Sequence, residues 1–187
     1  MRSTAGPVSQ VDDEARVKLI EKQTVWKNFI HLQTMIFEQQ ARDGRTFRIH
    51  REVHDHGVAA AILLFDPKRG EVVLVVLFLP GAYVNGHRIF MLELLAGLTD
   101  GDHPDESIRR ESMEETGYAV SAPRYLFDTY ASPGTLTEKV SLFYARVDLD
   151  VKAGEGGGLE NEGEDIEVMT VPLDAAYDMI ASGEIID

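Results

Sequence analysis

Residues 97–118, GLTDGDHPDESIRRESMEETGY, constrain this chain more than any other segment. They crowd Arg110, Glu111, Glu114, Glu115 and Gly117 into Arg-Glu-x-x-Glu-Glu-x-Gly, just after a Gly-rich turn. On a helix, residues three and four apart are neighbours, so Glu111, Glu114 and Glu115 share one face. Carboxylates crowded this way repel one another unless a cation sits among them. Arg110, four residues before Glu114, can answer one of them. The others are left for a hard divalent cation such as Mg²⁺, which takes oxygen ligands and shares them with substrate phosphates.

A Glu-rich helix face is most often a solvated, salt-bridged surface, and Glu-x-x-Glu-Glu alone would be read that way. The flanks argue otherwise. Pro104 suits the first helical position, Glu106 falls in the first turn, and Gly117 suits a left-handed C-terminal cap. His103 is a poor N-cap, so Asp102 is expected to share that task. The helix has a defined start and stop, and its carboxylates sit in its last turns beside a Gly-rich loop.

At 187 residues the chain has the length of one domain with a sizeable core. No apolar run is long enough to span a membrane, and the N-terminus lacks a signal-type apolar core. With no cysteine there are no disulfides and no thiol chemistry, which fits a cytoplasmic protein. A net charge of −14 argues against nucleic acid as a partner. The same charge makes any phosphate chemistry dependent on metal ions that reverse the local field. His54 and His56 share a strand face but lack a third ligand, and are expected to be structural or solvent-facing.

Along the chain, residues 1–16 read as a flexible polar tail and 17–187 as a single domain. Residues 17–54 suggest a strand followed by a hairpin: Ile30, Leu32 and Ile36 keep period two, and Arg42-Asp43-Gly44 makes a turn. Val58–Phe65 and Glu71–Phe78 are nearly continuous apolar runs, expected as central strands buried on both faces. A loop over Pro80–Arg88 leads to a strand over Ile89–Leu94, the Gly-rich turn and the helix. Further strands are expected over Ala122–Tyr130, Lys139–Val147 and Asp165–Val171, with a last helix over Pro172–Ser182. Residues 150–164 form a long acidic, Gly-rich loop, of a kind that inside a compact domain is often functional. The fold class is α/β, with a mixed sheet between helices.

The segment 97–118 resembles the Nudix box, Gly-x5-Glu-x7-Arg-Glu-U-x-Glu-Glu-x-Gly-U, where U is bulky and aliphatic. The match runs through Arg110, Glu111, Glu114, Glu115, Gly117 and approximately Tyr118. The loop after Gly97 is shortened, Asp102 stands where the box has Glu, and Ser112 replaces the first U, implying a smaller contact beneath the helix. Glu93-Leu94-Leu95-Ala96-Gly97, Tyr130-Ala131-Ser132-Pro133-Gly134, Thr137-Glu138 and Gly156-Gly157-Gly158-Leu159-Glu160 extend the likeness. They resemble the nucleoside-diphosphate-sugar branch, and within it the GDP-mannose hydrolases most closely.

That resemblance implies a Nudix-type αβα sandwich with an N-terminal β-hairpin region, and Mg²⁺-dependent (alternatively Mn²⁺-dependent) cleavage of a nucleotide-sugar pyrophosphate. GDP-mannose is the expected substrate, with ADP-ribose the enzymatic alternative and a catalytically silent nucleotide-binding module the alternative of another class. Glu111 and Glu115 are the expected metal ligands, with Glu114 a third ligand or tied to Arg110. The resemblance adds the carbonyl of Ala96, and Glu93 is expected either to assist there or to be structural. The general base is expected from the late loop: Glu162 by register, Glu160 as its rival, and Glu164 as an additional ligand. Substrate contacts are expected from Arg51, Tyr83, Asn85 and Glu138. Relatives carry an Arg-Gln-Phe-Arg pattern where Val75–Leu79 here has Val76 and Leu79, which removes cations from the expected diphosphate site. They also form homodimers through their N-terminal strands, and usually continue beyond the equivalent of Asp187 into a further helix.

Overall fold

The computed structural model of the protein describes residues 16–187, the side chain of Glu162 excepted. Residues 1–15, where a polar tail is expected, lie outside the described residues. Two compact units emerge from the contacts. One comprises the described part of Met1–His56 with Ser132–Glu138, and the other Gly57–Ala131 with Lys139–Asp187.

The first unit is an antiparallel meander of β1 (Val17–Lys27), β2 (His31–Gln40) and β3 (Thr46–Asp55). Ile30, expected within a strand, instead lies in the bend before β2, where its carbonyl accepts the N–H of Asn28. Every residue of β1 is exposed, including Leu19, Ile20, Val25 and Trp26. Residues 132–138 join this unit through His54: its N–H donates to Thr135 O at 2.8 Å, and its carbonyl accepts the N–H of Thr137 at 3.0 Å.

The second unit is built on a mixed sheet. Strands β4 (Ala59–Asp66), β5 (Glu71–Phe78), β6 (Phe90–Glu93), β7 (Leu95–Leu98), β8 (Arg124–Tyr130), β9 (Lys139–Arg146) and β10 (Glu167–Pro172) form it. The order is β10-β5-β4-β9-β8, with β6 on β5 and β7 on β4. Only the β4–β9 pair is parallel. The apolar runs explain the centre of the sheet, since a strand covered on both faces has no use for alternation. On one face Ile62, Leu64, Val73, Val75 and Leu95 pack with Ile108; on the other Val72 and Leu74 pack with Ala176. Ile108 belongs to helix α2 (Pro104–Glu111) and Ala176 to α3 (Leu173–Ser182); the preceding helix, α1 (Pro80–Val84), is short and buries none of its residues. The architecture is therefore an αβα sandwich. None of the described helices is long and apolar enough to cross a membrane.

Three local expectations are corrected. The segment Pro80–Val84 is helical rather than loop, begun by a proline at its first position. Leu95–Leu98 is a strand, not only a turn, because Ala59–Ile62 offers it a ladder. The box helix is not one α-helix: α2 ends at Glu111 and runs into a π-helical turn, Ser112–Thr116.

Candidate active site

The shortened loop after Gly97 closes as a tight turn. Asp102 N–H donates to Thr99 O at 2.8 Å, with Asp100 and Gly101 both at positive φ. The N-cap of α2 is His103, not Asp102. Its Nδ1 lies 2.8 Å from Asp105 Oδ1 and 3.5 Å from Asp105 N, so the short carboxylate contact dominates over capping. Pro104 occupies the first turn, and Gly117 ends the π turn at φ 76°.

Glu114 and Glu115 lie within that π turn, and Glu111 immediately precedes it. Short π segments inside α-helices recur at functional sites. Glu115 is 3 % exposed, and its Oε2 has no hydrogen-bond partner among the described residues. Burial, then Glu111, Glu164, Glu93 and Glu114, push its carboxyl up to about 9. Glu93, at the end of β6, is raised to about 7 by burial and by Asp187. Arg110 spans the outer carboxylates, 2.9 Å from Glu111 and 3.1 Å from Glu114. It therefore meets both, where the spacing pointed to Glu114.

Gly97 lets β7 approach Glu111 closely: a Cβ there would lie 2.4 Å from Glu111 Cδ. Ala96 beside it is exposed on β7. The helix end is closed by the late loop. Gly157 N–H donates to Glu115 O at 2.8 Å, Gly158 N–H to Glu114 O at 3.1 Å, and Ala153 and Gly154 N–H both to Gly117 O. These bonds satisfy carbonyls that a helix C-terminus leaves open. A Cβ on Gly156 would lie 2.6 Å from the backbone carbon of Thr116, so only glycine permits the approach.

Beyond the glycines, Glu164 Oε2 accepts the N–H of Leu159 at 2.9 Å and folds the loop back on itself. Glu160 is exposed at the start of a 3₁₀ turn, Glu160–Glu162. The side chain of Glu162, the expected base, lies outside the described residues. From helix and loop, Glu111, Glu164 and Glu114 thus all act on the charge of Glu115, as does Glu93 from β6.

Tyr83 lies in α1, tilted against Phe78 at 5.8 Å, and Asn85 is that helix's C-cap. Arg51 and Glu138 belong to the other unit. Arg51 donates to His50 O and lines a cleft of about 620 Å³ with Glu21, Met35 and His50. Glu138 lies 3.6 Å from His56 Nε2, and His56 Nδ1 lies 3.0 Å from His54 Nε2. The two histidines thus join each other and Glu138, a partnership that their spacing alone does not reveal.

The donor set fits a hard divalent cation. It is all oxygen, it includes a buried carboxylate oxygen that has no partner among the described residues, and it lies at a helix C-terminus, whose dipole adds to the cost of negative charge. Among the described residues no three acidic or imidazole side chains already converge at coordinating geometry; Glu111 and Glu114 are drawn onto Arg110 instead.

The family model described as NUDIX domain matches residues 55–185. The chain is 40 % identical over 173 residues to a GDP-mannose pyrophosphatase of Shigella flexneri serotype 5b (strain 8401), covering 92 % of this chain and 90 % of that one. The same identity and coverage hold for a GDP-mannose pyrophosphatase of Escherichia coli O157:H7. A crystal structure of an ADP compounds hydrolase superposes with a TM-score of 0.66 at 17 % identity, over 89 % of this chain and 83 % of that one, and so shares the fold.

Proposed function

Because the chain belongs to the NUDIX family, we propose that it is a divalent-metal-dependent hydrolase of nucleoside diphosphate sugars, with GDP-mannose the favoured substrate. One observation carries the reading: the buried Glu115, its Oε2 without a partner among the described residues and its charge opposed by Glu111, Glu164, Glu93 and Glu114. The identity to proteins named GDP-mannose pyrophosphatase supports the choice of sugar nucleotide.

In this reading Glu111, Glu115 and the carbonyl of Ala96 would hold Mg²⁺ or Mn²⁺, with Glu114 either a further ligand or tied to Arg110. Bound there, a divalent cation lowers the pKa of water and neutralises pyrophosphate oxygens. The protein's own part is to position and to move a proton. Glu162, or Glu160 beside it, takes the proton of the attacking water. Water oxygen bonds to one phosphorus, the bridging P–O bond breaks, and GMP and mannose 1-phosphate leave. Glu164, with one oxygen committed to Leu159 N–H, suits a place beside the metal better than that of the base. Tyr83 and Asn85 of the second unit are assigned to substrate contact, and Arg51 and Glu138 of the first carry that assignment from the sequence alone. The exposed Leu19, Ile20, Val25 and Trp26 support a homodimer built through the N-terminal strands.

The run Val75–Leu79, apolar throughout and carrying an exposed Phe78, favours a second reading, a nucleotide-binding module without turnover. A panel of GDP-mannose, ADP-ribose, other sugar nucleotides and dinucleotides with Mg²⁺ separates these. Fastest release of GMP and mannose 1-phosphate supports the proposal, and preference for ADP-ribose moves the substrate. Binding without turnover by folded protein sinks the enzyme.

A further inference from the structure

The π turn that carries Glu114 and Glu115 is tied across by side-chain hydroxyls. Ser112 and Thr116, its first and last residues, are both fully buried. Ser112 Oγ donates to Tyr118 O at 2.8 Å. Thr116 Oγ1 donates to Ser112 O at 2.6 Å and accepts the N–H of Tyr118 at 3.3 Å. Two routes therefore link Ser112 to Tyr118, one direct and one through Thr116, and the two glutamates lie inside the loop that these bonds close.

A π turn is rarer than an α turn because its backbone is less well packed, so one held at a site needs local support. A bulky aliphatic residue at position 112 could fill space but could not hold Tyr118 O. A serine hydroxyl does, at the position where the box otherwise carries an aliphatic side chain. Outside the ring, the N–H groups of Ala153 and Gly154 fasten the carbonyl oxygen of Gly117, the residue that ends the turn.

We propose that Ser112 and Thr116 are positioning residues, whose hydroxyls lock the π turn and so hold Glu114 and Glu115 in the orientation the cation site requires. This rests on the reading of Glu111, Glu114 and Glu115 as that site. The device is the counterpart, for backbone, of the hydrogen bonds that orient metal-ligating side chains, whose loss typically weakens metal binding about 10–100-fold.

The test compares side chains of equal shape. Thr116→Val removes a hydroxyl that Thr116→Ser keeps; Ser112→Val and Ser112→Thr differ in the same way at equal volume. Mn²⁺ affinity is read directly from the electron paramagnetic resonance signal of free Mn²⁺, with circular dichroism reporting the fold. The Mg²⁺ dependence, kcat and KM for GDP-mannose are measured beside it. The valine variants are expected to stay folded and to bind Mn²⁺ about 10-fold more weakly, with kcat falling and KM little changed, while the hydroxyl-bearing variants recover. Should the valine variants unfold, Ser112→Ala provides the milder change and carries the same expectation. Folded valine or alanine variants with wild-type Mn²⁺ affinity overturn the proposal. A wild-type protein that binds no Mn²⁺ removes the cation site itself, and the proposal with it.

Discussion

Gly157 donates its N–H to the carbonyl oxygen of Glu115 at 2.8 Å, so the late loop and the carboxylate helix form one hydrogen-bonded body. Position 156 makes the junction possible. A side chain there meets backbone on the other side, Thr116 C at 2.6 Å and Glu115 O at 2.8 Å, at a φ of 74°. Neither obstacle can rotate away. Gly156→Ala is therefore expected to destabilise the protein by about 1–3 kcal/mol. It should also lower turnover through displacement of the loop glutamates. Denaturant unfolding and steady-state kinetics check this, and an alanine variant of unchanged stability would refute the junction.

Gly97 makes a contrasting case. Its added Cβ would strike the side chain of Glu111, at Cδ 2.4 Å and Oε1 2.6 Å, and that carboxylate can swing aside. Gly97→Ala should keep the fold while raising the Mg²⁺ concentration needed for half-maximal rate by about 10-fold or more. Metal titration of the rate, beside a thermal melt, separates the two effects.

Titration of the site has a definite sign. Glu115 is pushed up to about 9 by burial and its acidic neighbours, and Glu93 to about 7 by burial and Asp187, each from an ordinary value of 4.5. Between 4.5 and those values the folded metal-free protein holds protons that the unfolded chain has released. Stability from these groups is thus full below about pH 4.5 and is lost as pH rises toward 9. Carboxylates held low, such as Asp66 through the N–H of Leu149, have their contribution complete well below neutrality and do not mask this fall. Urea unfolding in EDTA at pH 5.5, 7.5 and 9 should show declining stability, flattened in Glu115→Gln. At pH 7.5, Mg²⁺ binding should release protons, detected calorimetrically in buffers of different ionisation enthalpy. Stability that climbs from pH 5.5 to 9 would contradict the buried carboxyl.

The loop glutamates separate by role. Glu162→Gln should lower kcat by about 10²-fold, as loss of a general base does, with metal affinity little changed. If Glu160→Gln does so instead, the base lies two residues earlier, at the start of the same 3₁₀ turn. Glu164→Gln should disturb metal affinity first.

Much of this was written in local pattern. The runs Val58–Phe65 and Glu71–Phe78 announce strands buried on both faces, and Pro104 with Gly117 brackets the helix. What stayed hidden depends on partners distant in sequence or on small differences of period. Leu95–Leu98 is a strand because Ala59–Ile62 accepts it, which no local pattern reveals. The π turn over five residues differs too little from an α turn to register as periodicity, and its hydroxyl ring closes only in three dimensions. The glycines of 154–158 marked a special backbone, but not the helix end they approach. The joining of His56 to Glu138 likewise needed the chain to return at 132–138.

The most direct test of the account is turnover of GDP-mannose with Mg²⁺ by the wild type and by Glu115→Gln, with products resolved by chromatography. The account predicts GMP and mannose 1-phosphate from the wild type. It predicts a loss of about 10²-fold or more in kcat for the folded variant, in line with removal of one preorganised electrostatic contact. Near-normal, Mg²⁺-dependent release of the same products by Glu115→Gln would contradict it.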